Sequence, residues 1–333
     1  MLSYVKKESV FIFALCFALC LPVSLLAAPL TIKLGSIAPA SSPWGQALDE
    51  LAVEWREITG GAVRLVVYHN GVAGSEQDIL SKIRMNQLQA GIFTSSGLSA
   101  LSPEVLTLSI PLLVPDDAAL DTALAATRPL MEKRILAKGF TVVAWSKVGW
   151  LKFFANKKVS GPTEFKALKI AGGIENETLS GAFRSLGFQL IPIPINEVMT
   201  SLNAGMIDSF YSAPLGAASW QWFAKAPYML DLPLAPFVGV LVVGNRAWKR
   251  IPAAWREELK AVTEALISSL DDKAVELDRY AVDEMKKYGL TVVQPSAGDI
   301  AAWRDDMAEG IKPSIGTVFP DDMYQAVLKA LGR

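Results

Sequence analysis

Residues 30–94 read LTIKLGSIAPASSPWGQALDELAVEWREITGGAVRLVVYHNGVAGSEQDILSKIRMNQLQAGIFT, and the order of patterns in them decides the fold. Leu30 to Leu34 predicts a strand that ends at Gly35. Ser41-Ser42-Pro43 starts a helix, with a hydroxyl cap and a proline in the first turn. Trp44, Leu48, Leu51, Trp55 and Ile58 follow at steps of four and three, which makes one apolar stripe. Gly60-Gly61 stops the helix, Val63 to Tyr68 is the next strand, and His69-Asn70-Gly71 turns the chain. Ser75 is the candidate cap of a helix carrying Ile79, Ile83 and Leu88, and Gly91 to Thr94 is a third strand. This βαβαβ order implies a parallel sheet with helices on its faces. Such sheets bind ligands beyond the carboxyl ends of their strands. Those ends are Ile37-Ala38-Pro39, the loop near Ser75, and Thr94-Ser95-Ser96-Gly97.

Further along, Ala118 to Ala137 reads as a helix and Phe140 to Trp145 as a strand. A second α/β unit begins near Phe153. It holds a strand at Leu168 to Ile170, a helix over Glu177 to Leu186 and a strand over Phe188 to Ile193. Asn196-Glu197 opens a short helix closed by Gly205, with Met206 to Asp208 as the strand after it. Val238 to Val243 is a buried-strand run ended by Gly244-Asn245. From Pro252 to Tyr288 runs one helical pattern, with Trp255, Leu259, Val262, Leu266, Leu270 and Leu277 on one side. At 1.5 Å per residue it is about 55 Å long, more than one small lobe is wide, so it is expected to span both. No repeat, low-complexity tract or Gly/Ser linker is present, so strands rather than a tether should join the lobes.

The chain has 333 residues, enough for two lobes with a real core in each. Half of it is hydrophobic, and the mean hydropathy is +0.31. Part of that lies at the start. Lys6 and Lys7 precede an apolar run from Val10 to Leu26, which exits through Ala27 and Ala28. A positive segment, an apolar run and small residues describe a secretory signal, with cleavage expected near Ala28. The alternative is a retained anchor, for which the run is slightly short of the usual span of about 20 residues. Cys16 and Cys20 both lie in the run. Leu15 and Leu19 precede them where a lipoprotein signal requires small residues, so lipidation is not expected. The mature chain then has no disulfide and no thiol chemistry. Removing Lys6, Lys7 and Glu8 takes 32 basic and 33 acidic residues to 30 and 32. That near-neutral balance, without runs of one sign, excludes a nucleic-acid or polybasic membrane surface.

Catalytic machinery is not evident. His69 is the one histidine and sits in a turn. One histidine and no mature cysteine exclude the common zinc sites, and no other metal or cofactor is called for. There is no GxSxG, no Walker A and no GxGxxG after a strand. Asp116-Asp117 and Asp321-Asp322 stand at helix starts, where they complement the helix dipole. A carboxylate-only hydrolase is the enzymatic alternative that remains. The reading is a binder, not an enzyme.

Five segments then carry a resemblance. They are IKLGSIAPASSPWGQALDELAVEW, VYHNGVAGSEQDILSKI, IFTSSGLSALSPEVLTLSIPLL, FKALKIAGG and PINEVMTSLNAGMIDSFYSAP, in that order. Together they resemble the substrate-binding component of tripartite ATP-independent periplasmic (TRAP) transporters, the DctP-like receptors. The resemblance implies a two-lobed α/β fold of the type II-like periplasmic binding protein kind, with a long helix spanning both lobes and closure on the ligand. The expected division is a signal peptide over 1–28, lobe I over 29–149 plus about 238–275, and lobe II over 150–237 plus about 276–333. It implies a periplasmic location and integral-membrane TRAP permease subunits as partners. A tetratricopeptide-repeat (TPR) periplasmic lipoprotein is a further partner known beside some members.

Two departures bear on the cargo. The family typically places an arginine directly after the lysine–isoleucine strand, where it pairs with a ligand carboxylate; this chain has Ala171. A second arginine usually stands two positions after a glycine, where Gly149-Trp150-Leu151 has leucine. Lys152 is adjacent, but neighbours on a strand point to opposite faces. The family's aspartate–glycine–glutamine–glutamate–asparagine–proline reads here Asp208-Ser209-Phe210-Tyr211-Ser212-Ala213-Pro214, one residue longer and without the asparagine. Losing two arginine contacts removes on the order of 3–6 kcal/mol. Roughly four to eight buried methylenes of a ligand offset that, at about 0.8 kcal/mol each.

The candidate ligand-binding residues are accordingly apolar. The resemblance maps ligand contacts onto Trp150, Leu151 and Ala171, and Ile195, Phe210 and Tyr211 extend the wall. Trp220, Trp222, Phe223 and Phe237 add to it, although on a helix Trp220 and Trp222 cannot both face one way, and Phe237 also suits plain hinge packing. Thr94 and Ser95 are candidates for a polar head group or for capping a helix, and Trp44 lies on the core stripe, with ligand contact as its lesser alternative. The expected function is a periplasmic solute-binding receptor of a TRAP-type transporter, closing over an apolar or amphipathic, lipid-like ligand. The alternatives are a periplasmic lipid carrier without a permease, and a receptor for a small organic acid held by non-standard contacts.

Overall fold

The computed structural model of the chain describes residues 28–172 and 177–333. The apolar run before Ala27, and with it the signal-peptide reading, lies outside the described residues. No helix among them is long and apolar enough to cross a membrane.

The first unit follows the expected alternation: β1 (Leu30–Gly35), α1 (Pro43–Ile58), β2 (Val63–Tyr68), α2 (Glu76–Arg84) and β3 (Ala90–Thr94). Both β2 and β3 pair with β1 in parallel. Ser42 caps α1 by accepting from Gly45 N, and Leu48, Leu51 and Trp55 carry its buried stripe. Ser75 and Asp78 form a reciprocal capping box at the start of α2. The chain continues through the single-turn α3 (Ser95–Leu98) and α4 (Asp117–Ala137) into β4 (Phe140–Ala155).

The second unit contains α5 (Pro162–Lys166), β5 (Lys169–Ala171), α6 (Glu177–Ser185), β6 (Gln189–Ile191), α7 (Val198–Asn203), β7 (Ser209–Ser212), α8 (Pro214–Ser219) and β8 (Tyr228–Leu230). Then come β9 (Ala235–Gly244), α9 (Asn245–Trp248), α10 (Ala253–Lys287), β10 (Thr291–Val293), α11 (Ala297–Ile311) and α12 (Asp321–Ala330). The strand order is β2-β1-β3-β9-β4-β7-β5-β6, with β8 joining β4 to β10. The two units are thus one curled sheet, and β4 and β9 run antiparallel between them.

Three local readings change. The strand predicted to stop at Trp145 runs on to Ala155, because register shifts at Val142/Ala144 and Lys147/Gly149 let β4 keep pairing with β9. The strand predicted over Met206 to Asp208 starts at Ser209 instead. Met206 is exposed, and Asp208 turns the chain by accepting from Lys169 N at 3.1 Å. Leu270 and Leu277 are only half-buried on α10, where Leu259, Thr263 and Ile267 at one end and Ala281 and Met285 at the other form the buried line.

Four hydrophobic clusters hold the sheet faces. Leu259 of α10 packs with Ile32, Leu51 and Trp55, whereas Met285 of the same helix packs with Phe154, Phe210 and Leu290. Trp55 Nε1 also donates to Thr263 Oγ1 at 3.0 Å. The helix therefore rests on both units, as its length predicted. The C-terminal segment differs from the expected grouping. Phe319, Met323 and Val327 share a cluster with Leu120 and Met131 of α4, so α12 covers the first unit rather than the second.

Candidate functional site

A cavity of about 240 Å³ lies where the two units face each other. The loop Ile37-Ala38-Pro39 after β1 and Thr94 and Ser96 after β3 line one side. Ala171 and Gly172 after β5, Ile193 and Ile195 after β6, and Phe210 and Tyr211 of β7 line the other. Leu151 of β4 and Phe237 and Gly239 of β9 close it where the strands cross between units. It thus sits beyond the carboxyl ends of the parallel strands, as such sheets dictate.

Local chemistry sets each wall. Ala171 pairs in register with Phe210 and Ile191, which fixes the end of β5 against β7. A side-chain carbon on Gly172 would lie 2.8 Å from the Tyr211 ring, so the glycine is what admits that ring. Phe210 stacks on Phe154 at 4.9 Å and meets Trp222 edge-on at 5.1 Å. Trp220 stacks on Trp222 at 5.8 Å, and both line the cavity. The helical argument that set the two tryptophans apart fails because α8 ends at Ser219 and Gln221 takes a left-handed φ of 58°. That single backbone reversal brings both rings to one side.

Of the residues singled out from the sequence, Thr94, Leu151, Ala171, Ile195, Phe210, Tyr211, Trp220 and Phe237 line this cavity. Trp150 does not. Alternation along β4 turns Leu151 inward and sends Trp150 and Lys152 to the opposite face. There Trp150 Nε1 donates to Asp117 Oδ1 at 2.9 Å, and Lys152 pairs with Asp231 at 2.5 Å. Ser95 also departs: its hydroxyl donates to the Val238 carbonyl at 3.2 Å, and it lines a smaller neighbouring cavity. Thr94 is at the wall, but its hydroxyl donates to Glu76 Oε2 at 2.8 Å and caps α3 by accepting from Gly97 N. Phe223 packs against the second unit's core and is not in the lining.

Trp44 and Glu76 belong to the lining and were not assigned to it from sequence. Trp44 starts the α1 stripe but is only half-buried, one turn before the core. Glu76 follows the Ser75 cap, in a loop that the strand order did flag. It is buried, and its carboxylate also accepts from Thr94 N. Glu76 is the one charged side chain in the lining; among the described residues no lysine, arginine or histidine reaches it. No cluster of three metal-ligating side chains occurs among the described residues.

Charge gathers instead behind β4, in a cavity of about 470 Å³ between that strand and α10. Asp271 accepts from Ser146 Oγ at 2.7 Å and from Lys147 N at 2.8 Å. Asp278 accepts from Leu215 N at 2.9 Å and from the Trp150 backbone. Burial pushes both carboxyls up to about 6, against the hydrogen bonds that favour their charged forms.

Two α/β units joined by through-running strands, with a cavity at their facing strand ends, define the class of two-lobed solute-binding receptors. Residues 34–315 match the DctP family, bacterial extracellular solute-binding protein family 7, and the chain belongs to that family. It is 24% identical over 272 residues to a solute-binding protein of Verminephrobacter eiseniae, 80% of each chain. It is 24% identical over 313 residues to the C4-dicarboxylate-binding periplasmic protein DctP of Rhodobacter capsulatus, 90% of this chain and 92% of that one. The crystal structure of a TRAP periplasmic solute binding protein from Shewanella oneidensis, with bound succinate, shares the fold. Its TM-score is 0.84 at 20% identity, over 91% of this chain and 99% of that one. The family match makes the protein a bacterial extracellular solute-binding protein, and its fold is that of solved TRAP periplasmic solute binding proteins.

Proposed function

We propose that this receptor closes over an apolar or amphipathic, lipid-like solute and delivers it to a TRAP permease. One observation carries the reading: Leu151 and Ala171, which stand where the family typically has arginines, both line a cavity that no described cation reaches. A dicarboxylate placed there would lose its ion pairs and face the Glu76 carboxylate, which disfavours its charged form. The stacked Trp220 and Trp222, with Phe210, Phe237 and Tyr211, offer apolar surface in exchange. One relative is named for C4-dicarboxylate binding and one neighbour was solved with bound succinate; the absence of a described cation from this cavity's lining supports a different cargo here.

On this reading the signal peptide is removed near Ala28. Lobe I is 29–149 with about 238–275, joined by α12, and lobe II is 150–237 with the segment from about 276 to the end of α11. A TPR lipoprotein beside the permease suits such a cargo, since it would shield an apolar solute from water before handover. Native mass spectrometry of the purified receptor tests the proposal. Release of an apolar mass that survives purification is the expected result; release of a small dicarboxylic acid overturns it.

A further inference from the structure

A smaller cavity of about 110 Å³ adjoins the cleft. Ser96, Leu151, Tyr211 and Phe237 line both spaces. Beyond them the second space runs into lobe II, against Phe153, Phe188, Leu190, Trp303 and Met307. Its floor is an aromatic pile: Phe153 stacks on Trp303 at 5.6 Å, and Phe188 stacks on Trp303 at 6.0 Å. No charged side chain lines it among the described residues. A core stack that stops short of filling such a space forfeits packing that a well-filled interior would have.

We infer that this chamber is a tail subsite, which takes an unbranched alkyl chain whose polar end stays in the cleft. The inference rests on the apolar-cargo reading and specifies its ligand. Two features select a straight chain. Leu151, Tyr211 and Phe237, with Ser96, make the wall that the two spaces share, and the second space holds only about 110 Å³, which suits a slender chain. The chamber walls supply carbon and aromatic edges, with serine hydroxyls as the main polar groups, so they reward methylenes and not charge. The Leu151 substitution matters twice on this account. It removes a cation from the cleft, and it sets an aliphatic, rotatable side chain in the wall that the cleft shares with the second chamber.

Ser109 gives a clean handle. It lines the second chamber and not the first, and its Oγ is buried without a hydrogen-bond partner among the described residues. Ser109→Phe therefore fills the chamber without removing a hydrogen bond. The experiment is calorimetric titration of straight-chain primary alcohols, from about 6 to about 16 carbons, against the parent chain and Ser109→Phe. In the parent, each added methylene should tighten binding about three- to fourfold until the chamber is full. In Ser109→Phe the gain should stop at a shorter chain, while the shortest alcohols that bind keep their affinity. Overpacking is itself destabilising, so the parent series stands alone as a second measurement. A parent affinity that stops rising once the cleft alone is filled overturns the subsite, as does a Ser109→Phe series that parallels a rising parent series. If no alcohol of any length binds and succinate does, it is the apolar-cargo reading that fails, and the subsite falls with it.

Discussion

The Asp278 carboxylate lies against the backbone of Gly149, where a side-chain carbon would come within 2.6 Å of Oδ2. Gly149 has φ +128°, a conformation that side chains rarely adopt, and sits at the register shift where β4 leaves one unit for the other. Asp278 also ties α10 to Leu215 at the start of α8. Strand, spanning helix and cleft wall therefore meet at this pair.

Gly149→Ala should cost about 1–3 kcal/mol of stability, from backbone strain and the clash with Asp278. Urea denaturation measures it. An unchanged midpoint at an unchanged slope would mean that β4 does not hold this conformation in solution.

Asp278 has a pH signature. Its carboxyl ionises near 6 in the folded chain and near 3.8 when unfolded, so the folded state binds the proton more tightly between those values. Its contribution to stability is full below about pH 4 and falls as pH rises through about 6, by a total on the order of 3 kcal/mol. Asp271 behaves alike. Carboxylates such as Asp78, which the Ser75 backbone and hydroxyl hydrogen bonds hold below the usual range, act with the opposite sign. The readout is therefore a difference. Between pH 4 and 7, the melting temperature of Asp278→Asn should rise relative to the parent as pH increases. Parallel curves would remove Asp278 from the account.

Ala171→Arg places a guanidinium at a buried wall with no described carboxylate but Glu76 in the lining. Affinity for an apolar solute should fall at least tenfold, since a charge buried without a good partner is costly. Titration with a thermal melt as folding control checks this. Undiminished affinity would place Ala171 outside the binding surface.

The tryptophan pair should split by role. Trp222 is 6% exposed and packs on Phe210, so Trp222→Ala should destabilise the fold by about 3–5 kcal/mol. Trp220 is half-buried at the cavity wall, so Trp220→Ala should mainly weaken solute binding. Denaturation and binding measured on both variants separate the two effects. Equal losses of stability would contradict the assignment.

Periodicity made much of this fold legible. The β1 to β3 unit, its Ser42 and Ser75 caps and the α10 span are local patterns, and they appear where the patterns in residues 30–94 and 252–288 place them. What sequence spacing could not show depended on single backbone events or on distant partners. Trp150 was put in the cleft beside Leu151 although strand alternation allows only one of them. The stacking of Trp220 on Trp222 needed the left-handed Gln221, which no periodic pattern announces. The docking of α12 on α4 joins residues nearly two hundred positions apart, as the Arg134–Asp322 pair at 2.8 Å illustrates. Glu76 was passed over in the sequence although the loop at Ser75 was flagged as a strand end; its place in the wall depends on its contact with Thr94, eighteen residues on.

The central claim is that apolar surface does here what arginines do in the family. Calorimetric titration of the purified receptor, with a long-chain fatty acid or alcohol in one arm and succinate in the other, tests it most directly. The account predicts saturable binding of the long chain and no measurable binding of succinate. Tight succinate binding, with none of the long chain, would contradict it.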